Sequence, residues 1–117
     1  MVRLVRAQVE PLELNLFRHA DRLGAALAVL DGLWSDAVPR LRAEAGPRAH
    51  RAREAAALVA HARWMYRAAL ARPESRAMHH REDAPRTDPG YGHRLLCGGL
   101  DQVWTAFDAV PDAEKVA

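Results

Sequence analysis

Residues 48–71 read RAHRAREAAALVAHARWMYRAALA, the strongest helical pattern in the chain. Alanine, the best helix former, recurs through the stretch, and neither glycine nor proline interrupts it. Its apolar residues recur at spacings of three and four, the pattern of a helix with one buried face. That stripe comprises Ala52, Ala55, Leu58, Val59, Ala62, Met65, Tyr66 and Ala69. We therefore predict a long helix whose other face, with Arg53, Arg63 and Arg67, lies in solvent.

Two further helices are predicted upstream. Val2, Val5 and Val9 share one side of a first helix over about residues 2–10, which Pro11 interrupts. A second helix, over about residues 19–34, carries its own apolar stripe at helical spacing. The members of that stripe are Leu23, Ala26, Leu27, Leu30, Leu33 and Trp34. Together the three helices predict a bundle-like core.

The chain changes character in residues 73–90, called here the charged segment. It holds three arginines, two adjacent histidines and four carboxylates: Arg76, Arg81, Arg86, His79, His80, Glu74, Glu82, Asp83 and Asp88. Burying unpaired charge is costly, and the segment has few apolar residues with which to form a core. We therefore predict that it faces solvent, a ligand or a partner.

A small β-hairpin is predicted over about residues 91–110. Val103, Thr105 and Phe107 alternate with other residues, and Gly98-Gly99 supplies a turn between two short runs. The tail, 111–117, carries no core signal. The fold class predicted is thus mainly α: a three-helix bundle-like single domain over residues 1–117, with a charged loop and a small carboxy-terminal β-hairpin.

Composition excludes several classes of protein. The 117 residues contain one cysteine, Cys97, so no disulfide framework forms within the chain, and a small apolar core residue is its expected role. Lys115 is the sole lysine, and no basic stripe is interleaved with aromatic residues, so nucleic acid is not an expected partner. Since no apolar run is long enough for a membrane span, we predict a soluble, cytoplasmic protein.

Two chemistries are disfavoured in the charged segment. A metal site would use His79, His80 and His93, but adjacent histidines in an extended chain point in opposite directions and the single cysteine provides no thiolate pair. Acid-base catalysis would use Glu82 and Asp83, but the neighbouring arginines keep both ionised. We therefore assign no metal and no catalytic residue here.

The charged segment resembles a known family. Glu74-Ser-Arg-Ala-Met-His79, then Arg81-Glu82-Asp83, Pro85 and Asp88, are similar to the Glu-Ser-Arg-Gly-x-His-x-Arg-x-Asp-x-Pro segment of that family. This family is the carboxy-terminal domain of succinate dehydrogenase and fumarate reductase flavoprotein subunits. The same family includes L-aspartate oxidase-like proteins. The resemblance covers nearly the whole chain. One departure is Ala77, where the family usually has glycine.

The resemblance implies a role without catalysis. In the family, the residues that hold FAD and those that transfer hydride and proton lie in a flavin domain and a capping domain, and this sequence resembles neither. It lacks a Gly-x-Gly-x-x-Gly motif after a strand. No cofactor-binding residue is therefore assigned to this chain, and FAD is implied in a partner chain. The expected function is a non-catalytic module or accessory subunit of a flavoprotein oxidoreductase.

The expected partner interface lies in the charged segment. The resemblance implies that this segment packs beside the flavin and capping domains, with arginines bound to carboxylates or carbonyls of the partner. The candidate interface residues are Glu74, Ser75, Arg76, His79, Arg81, Glu82 and Asp83.

Three alternatives stay open at this point. Glu74, Arg76 and Asp83 could satisfy one another and only fix the shape of the loop. An independent protein could bind a small anion or an acidic partner through Arg76, Arg81, Arg86 and Arg94. The chain could also be a fragment of a longer flavoprotein.

Overall fold

The computed structural model of the protein describes residues 1–41 and 45–108. Its helices are α1 (Val2–Val9), α2 (Leu12–Asn15), α3 (Ala20–Gly32) and α4 (Pro47–Ala71). After α3 the chain continues as a π-helical turn, Leu33–Ala37, and a 3-10 turn, Val38–Arg40. Its strands are β1 (Phe17–Arg18), β2 (His80–Arg81), β3 (Leu95–Gly98) and β4 (Trp104–Phe107), with a 3-10 turn over Pro89–Tyr91 before β3.

The core lies where α3 and α4 pack together and α1 covers them. The apolar stripes predicted for these helices supply its buried side chains: Val5, Leu23, Ala26, Leu27, Leu30, Val59, Ala62, Tyr66 and Ala69. The hydroxyl of Tyr66 donates a hydrogen bond to the carbonyl of Gln8, which ties α4 to α1. The predicted mainly helical class, with a small carboxy-terminal hairpin, is confirmed.

Local chemistry fixes the helix ends close to their predicted positions. Gly46, at a φ of +98°, precedes α4, and Pro47 occupies the first helical position, where its missing N–H costs nothing. At the start of α3, His19 Nδ1 accepts from the Asp21 amide at 3.2 Å. Leu33 and Trp34, predicted in that helix, pack on the core from the π-helical turn. No helix in the described part of the chain has the length and hydropathy to span a bilayer.

Two predictions for α4 are wrong. Leu58 was placed on the buried stripe, but it is exposed and lines a groove with Val2 and His61, because the short α1 does not cover this flank of α4. Arg63 was placed on the solvent face, but its side chain is buried. It is buried because the β3–β4 turn lies across that face and supplies carbonyl partners.

A short parallel pair of strands, which was not predicted, joins the charged segment to the entrance of α3. In the register of β1 and β2, Phe17 lies opposite His80, and Arg18 opposite Arg81. The amide of Glu82 extends the pair by donating to the Arg18 carbonyl at 2.7 Å. The charged segment is therefore fixed to the helical core at both of its sides, by this pair and by the end of α4.

The predicted hairpin is confirmed. Strands β3 and β4 are antiparallel, with Leu95 opposite Phe107 and Gly98 opposite Trp104. Gly99 has a φ of +85°, which a residue with a side chain rarely adopts. Cys97, expected in the core, is only half-buried in β3, since the hairpin lies outside the bundle. Positions 109–110 of the predicted hairpin and the tail 111–117 lie outside the described residues.

Candidate functional site

Glu74 is the centre of the charged segment. Its side chain is 0% exposed. Its Oε1 accepts from Arg72 Nη1 at 2.7 Å and from Arg76 Nε at 2.9 Å, while its Oε2 accepts from the Asp88 amide at 2.8 Å. The hydrogen bond from Arg76, helped by those from Asp88 and Arg72, lowers the pKa of the Glu74 carboxyl to about 2. Glu74 is therefore a fixed carboxylate that holds two arginines, and it does not act as an acid or a base near neutral pH.

Arg81 forms a second ion pair, in which its guanidinium is buried and its partner Asp83 is partly exposed. Its guanidinium donates to Asp83 through Nε, at 2.8 Å, and through Nη2, at 2.5 Å. Its Nη1 donates to the Ala69 carbonyl at 3.0 Å and so caps the end of α4. The hydrogen bonds from Arg81 lower the pKa of the Asp83 carboxyl to about 2. The expectation that Asp83 stays ionised agrees with this geometry.

Ser75 links the two ion pairs. Its hydroxyl accepts from the Arg81 amide at 2.9 Å and donates to the Ala84 carbonyl at 2.8 Å. Its own amide donates to the Arg86 carbonyl at 3.0 Å, and its carbonyl accepts from the Thr87 hydroxyl at 2.6 Å. Ser75 thus closes the loop on itself.

A tight turn projects from this network. The amide of Arg76 donates to the His79 carbonyl at 2.8 Å, and the amide of His79 donates back to Arg76 at 2.9 Å. Between them, Ala77 has a φ of +50°, the left-handed region that costs a residue with a Cβ about 1–2 kcal/mol. Met78, at the tip, is 77% exposed. The turn therefore presents one apolar side chain to the outside.

His79 is held in one neutral form. Since arginine can only donate, Nδ1 accepts from Arg18 Nη1 at 2.8 Å, and Nε2 carries the proton that it donates to the Arg72 carbonyl at 2.9 Å. Burial lowers the pKa of His79 below its ordinary value of 6.5, and the neighbouring guanidinium charges act in the same direction. The ring thus bridges the turn after α2 and the end of α4.

The structure divides the seven candidate interface residues. Glu74, Ser75 and Arg81 are buried, so the prediction that the whole charged segment faces outward is wrong. The charges of Glu74 and Arg81 can be buried because each has a counter-charge and hydrogen bonds within the chain, and the neutral Ser75 is hydrogen-bonded too. Glu82 is exposed and accepts from Arg22 at 2.7 Å. Arg76, His79 and Asp83 keep part of their surface accessible. Contact of these residues with a partner stays a prediction.

The four arginines of the anion-binding alternative have different surroundings. Arg76 and Arg81 hold Glu74 and Asp83, and Arg94 donates to Asp108 at 2.5 Å. Among the described residues, only Arg86 of the four has no carboxylate of the chain within ion-pair distance. Three of these guanidinium groups are thus already neutralised, which leaves little charge for a separate anion site.

The histidines do not converge on a metal site. The ring of His79 lies between Arg18 and the Arg72 carbonyl, whereas His80 makes an edge contact with Phe17 at 6.4 Å between ring centroids. Within residues 1–41 and 45–108 there is no group of three histidine, cysteine, aspartate or glutamate side chains arranged to hold a metal ion.

A second buried arginine, missed in the sequence, anchors the hairpin. Arg63 Nε donates to Asp31 at 2.7 Å, its other nitrogens donate to the carbonyls of Leu100 and Asp101, and its guanidinium lies 5.2 Å from the Trp34 ring centroid. Nearby, Trp64 Nε1 donates to the Gly99 carbonyl at 2.7 Å. No spacing in the sequence marks this contact, because Asp31 and Arg63 lie on different helices.

Comparison with known proteins agrees with this geometry. The family described as fumarate reductase flavoprotein C-term matches residues 10–108, and the match spans the core helices α3 and α4, the charged segment and the hairpin. The chain belongs to the fumarate reductase flavoprotein C-terminal domain family. No curated protein matches the chain. No solved structure matches it either.

The tight turn departs from the motif that the sequence resembles. Ala77, where the resemblance implies glycine, has a φ of +50°. Glycine adopts that conformation without steric cost. The tight backbone turn is therefore kept here despite the substitution, and the surrounding hydrogen bonds offset its strain.

The described residues of this C-terminal domain do not fit FAD. A dinucleotide is ordinarily held where a glycine-rich turn joins a parallel strand to a helix. The parallel pair present here, β1 and β2, has two residues per strand, and Gly98-Gly99 closes a hairpin. A Cβ at Gly98 would lie 2.6 Å from Trp104 Cζ2, so an indole ring already covers that backbone.

Proposed function

We propose that the chain is a non-catalytic helical module of a fumarate reductase or succinate dehydrogenase type oxidoreductase and that it packs against a separate FAD-bearing chain. The observation that carries the proposal is the family match over residues 10–108, which includes the whole charged segment. The reacting groups and FAD belong to the partner in this proposal, and the complex is assigned to the cytoplasm.

The distribution of apolar side chains supports packing against a larger protein. In the described part of the chain, the buried apolar residues larger than alanine are six: Val5, Leu23, Leu27, Leu30, Val59 and Tyr66. Ten large apolar residues are exposed: Leu4, Leu12, Phe17, Val29, Leu58, Met78, Leu96, Leu100, Trp104 and Phe107. A domain with more large apolar residues exposed than buried fits a domain whose surface is partly covered in a complex.

The charged segment supports the proposal in a different way. Most hydrogen-bonding groups of its ion pairs bind each other, so the conformation of the segment is fixed before any partner binds. A surface that is ordered in advance loses less entropy on association. A loop held by internal hydrogen bonds, on a bundle with many exposed apolar residues, suits a docking module better than a catalytic one.

The test is to purify the tagged chain under mild conditions from cells that express it naturally. The proposal expects an equimolar second chain that carries FAD and whose sequence contains a glycine-rich dinucleotide-binding motif. Purified alone, mixed with FAD and then separated from unbound FAD by gel filtration, the chain should be colourless. Isolation without any flavin-containing chain, or tight binding of FAD by the chain itself, would overturn the proposal.

A further inference from the structure

We propose that Met78, Leu12 and Leu16 form the surface through which the module docks, and that this surface meets an apolar area edged by carboxylates on the FAD-bearing chain. This inference rests on the proposed function. The docking surface lies beside the ion pairs of Glu74 and Arg81. These ion pairs hold the turn that carries Met78 in position.

The three side chains line one surface depression. Met78 at the tip and Leu12 on α2 are exposed, and with Leu16 they line a groove of about 310 Å³ that also includes Glu10, Asn15 and Arg18. Methionine and leucine supply most of the apolar contact, and the flexible thioether of methionine adapts to the shape of a partner. The groove is thus an apolar surface with a polar edge, as in a protein interface.

The turn that carries Met78 is held on both sides. On one side, Arg76 binds Glu74 through two nitrogens, at 2.9 and 3.2 Å, and the Asp88 carbonyl at 3.0 Å. On the other side, His79 is fixed between Arg18 and the Arg72 carbonyl. An exposed methionine on a mobile loop would lose much freedom on binding, whereas this one is already positioned. The left-handed conformation of Ala77 also helps to place Met78 at the tip of the turn.

Charge identifies the chemistry of the partner surface. Four arginines and two carboxylates surround the base of the turn: Arg18, Arg72, Arg76, Arg81, Glu74 and Asp83. Four positive and two negative charges leave an excess of two positive charges. Glu10 also lines the groove, but it pairs with Arg6 at 3.5 Å, and Arg86 and Asp88 likewise add one charge of each sign, so these four residues do not change that balance. An excess of positive charge beneath an apolar tip favours a partner surface edged by carboxylates.

The outer face of the hairpin is the competing apolar surface. Leu96 and Trp104 are exposed there, but the indole of Trp104 already packs across Gly98, and the nearby Arg94 is paired with Asp108. Leu100 in the β3–β4 turn is exposed as well, but this face lacks the excess of positive charge found beneath Met78. It provides a suitable comparison position in an experiment.

The experiment replaces single residues of the full chain by the photoreactive p-benzoylphenylalanine in cells that express the protein naturally. Positions 78 and 12 test the proposed surface, 104 tests the hairpin face, and 29, on the exposed side of α3, is the control. After irradiation, each adduct is identified by mass spectrometry and examined for FAD. We expect adducts with an FAD-bearing chain at positions 78 and 12, at acidic segments of that chain, and none at 29.

The other outcomes separate this inference from the proposed function. Adducts with the FAD-bearing chain at 104 but not at 78 or 12 would overturn the inference and leave the proposed function standing. Adducts at 78 with a second copy of this chain or with a protein without flavin would overturn the inference. The absence of any flavin-containing adduct at all four positions would overturn both.

A matched pair of substitutions gives the quantitative test. Met78→Glu should weaken association with the FAD-bearing chain at least about tenfold, since an exposed apolar contact is replaced by a charge that repels carboxylates. Val29→Glu makes the same change on another exposed surface and should leave association unchanged. Circular dichroism should show both variants folded. Equal association of the two variants would refute the docking surface.

Discussion

The guanidinium of Arg81 and the carboxylate of Asp83 form a two-point ion pair, with Nε–Oδ1 at 2.8 Å and Nη2–Oδ2 at 2.5 Å. The same guanidinium donates to the Ala69 carbonyl at the end of α4. One buried side chain therefore joins the charged segment to the longest helix. This contact fixes the position of the charged segment relative to the helical core without any partner.

Replacing Arg81 should destabilise the whole domain. Arg81→Met leaves Asp83 without its partner and the last carbonyls of α4 without a donor, so we expect the free energy of unfolding in urea to fall by about 3 kcal/mol. Arg86→Met is the matched control, because Arg86 is exposed, and its effect should stay within about 0.5 kcal/mol. Equal losses in the two variants would mean that the Arg81 contacts contribute nothing specific.

Restoring glycine at position 77 should stabilise the protein. Ala77→Gly removes the left-handed strain but increases the freedom of the unfolded chain, so the net gain in unfolding free energy is expected to be about 0.5–1 kcal/mol. The same change in a helix, Ala57→Gly in α4, should instead cost about 1 kcal/mol. Thermal melts should show a higher melting temperature for Ala77→Gly and a lower one for Ala57→Gly than for the native chain. A loss at position 77 would contradict the strained turn.

Acid should unfold the domain through its arginine-paired carboxylates, Glu74 and Asp83. The pKa values of Glu74 and Asp83 are about 2 in the folded chain, against ordinary values of 4.5 and 3.8. Between these values the unfolded chain binds more protons than the folded chain, so the free energy of unfolding is greatest above about pH 5 and falls as the pH is lowered towards about 2.

Glu74→Gln tests this pH dependence. Because glutamine does not titrate, the variant should have a lower melting temperature at neutral pH and a smaller further decrease on acidification than the native protein. Glu13→Gln, at an exposed position, is the control and should leave the profile unchanged. A Glu74→Gln profile parallel to that of the native chain would show that the ionised carboxylate is not what stabilises the segment.

Arg63 and Arg67 share one carboxylate but should contribute different amounts to the free energy of unfolding. Arg63 is buried and Arg67 is exposed, yet both bind Asp31, at 2.7 and 2.8 Å. Arg63→Met should cost about 3 kcal/mol, whereas Arg67→Met should cost less than about 1 kcal/mol. Hydrogen exchange should show loss of protection in the β3–β4 hairpin for Arg63→Met only. Retained protection there would mean that Arg63 does not anchor the hairpin.

The sequence predicted the helices because their signal is local. The apolar stripes of α3 and α4 depend on residues three and four apart, and the charged pairs Glu74–Arg76 and Arg81–Asp83 are two residues apart. Neighbouring glycines likewise indicated the hairpin turn. For these features a short window of sequence contains both members of the interaction.

The remaining features depend on partners that are distant in the chain. Arg63 is buried because Asp31 and the β3–β4 turn meet it, and the short pair β1–β2 brings Phe17 beside His80. Residue type alone predicts an exposed arginine in both the charged segment and α4. Only the meeting of distant elements shows that Arg63 and Arg81 are buried and that Met78 is the exposed tip.

Sedimentation of the complex from native cells, followed by protein absorbance and by visible flavin absorbance, tests whether the chain docks on an FAD-bearing partner. The chain and flavin should sediment together in one boundary, and Met78→Glu should release the chain to a slower boundary without flavin. If the native chain sediments by itself, with all flavin in other boundaries, the claim that it docks on an FAD-bearing partner is contradicted.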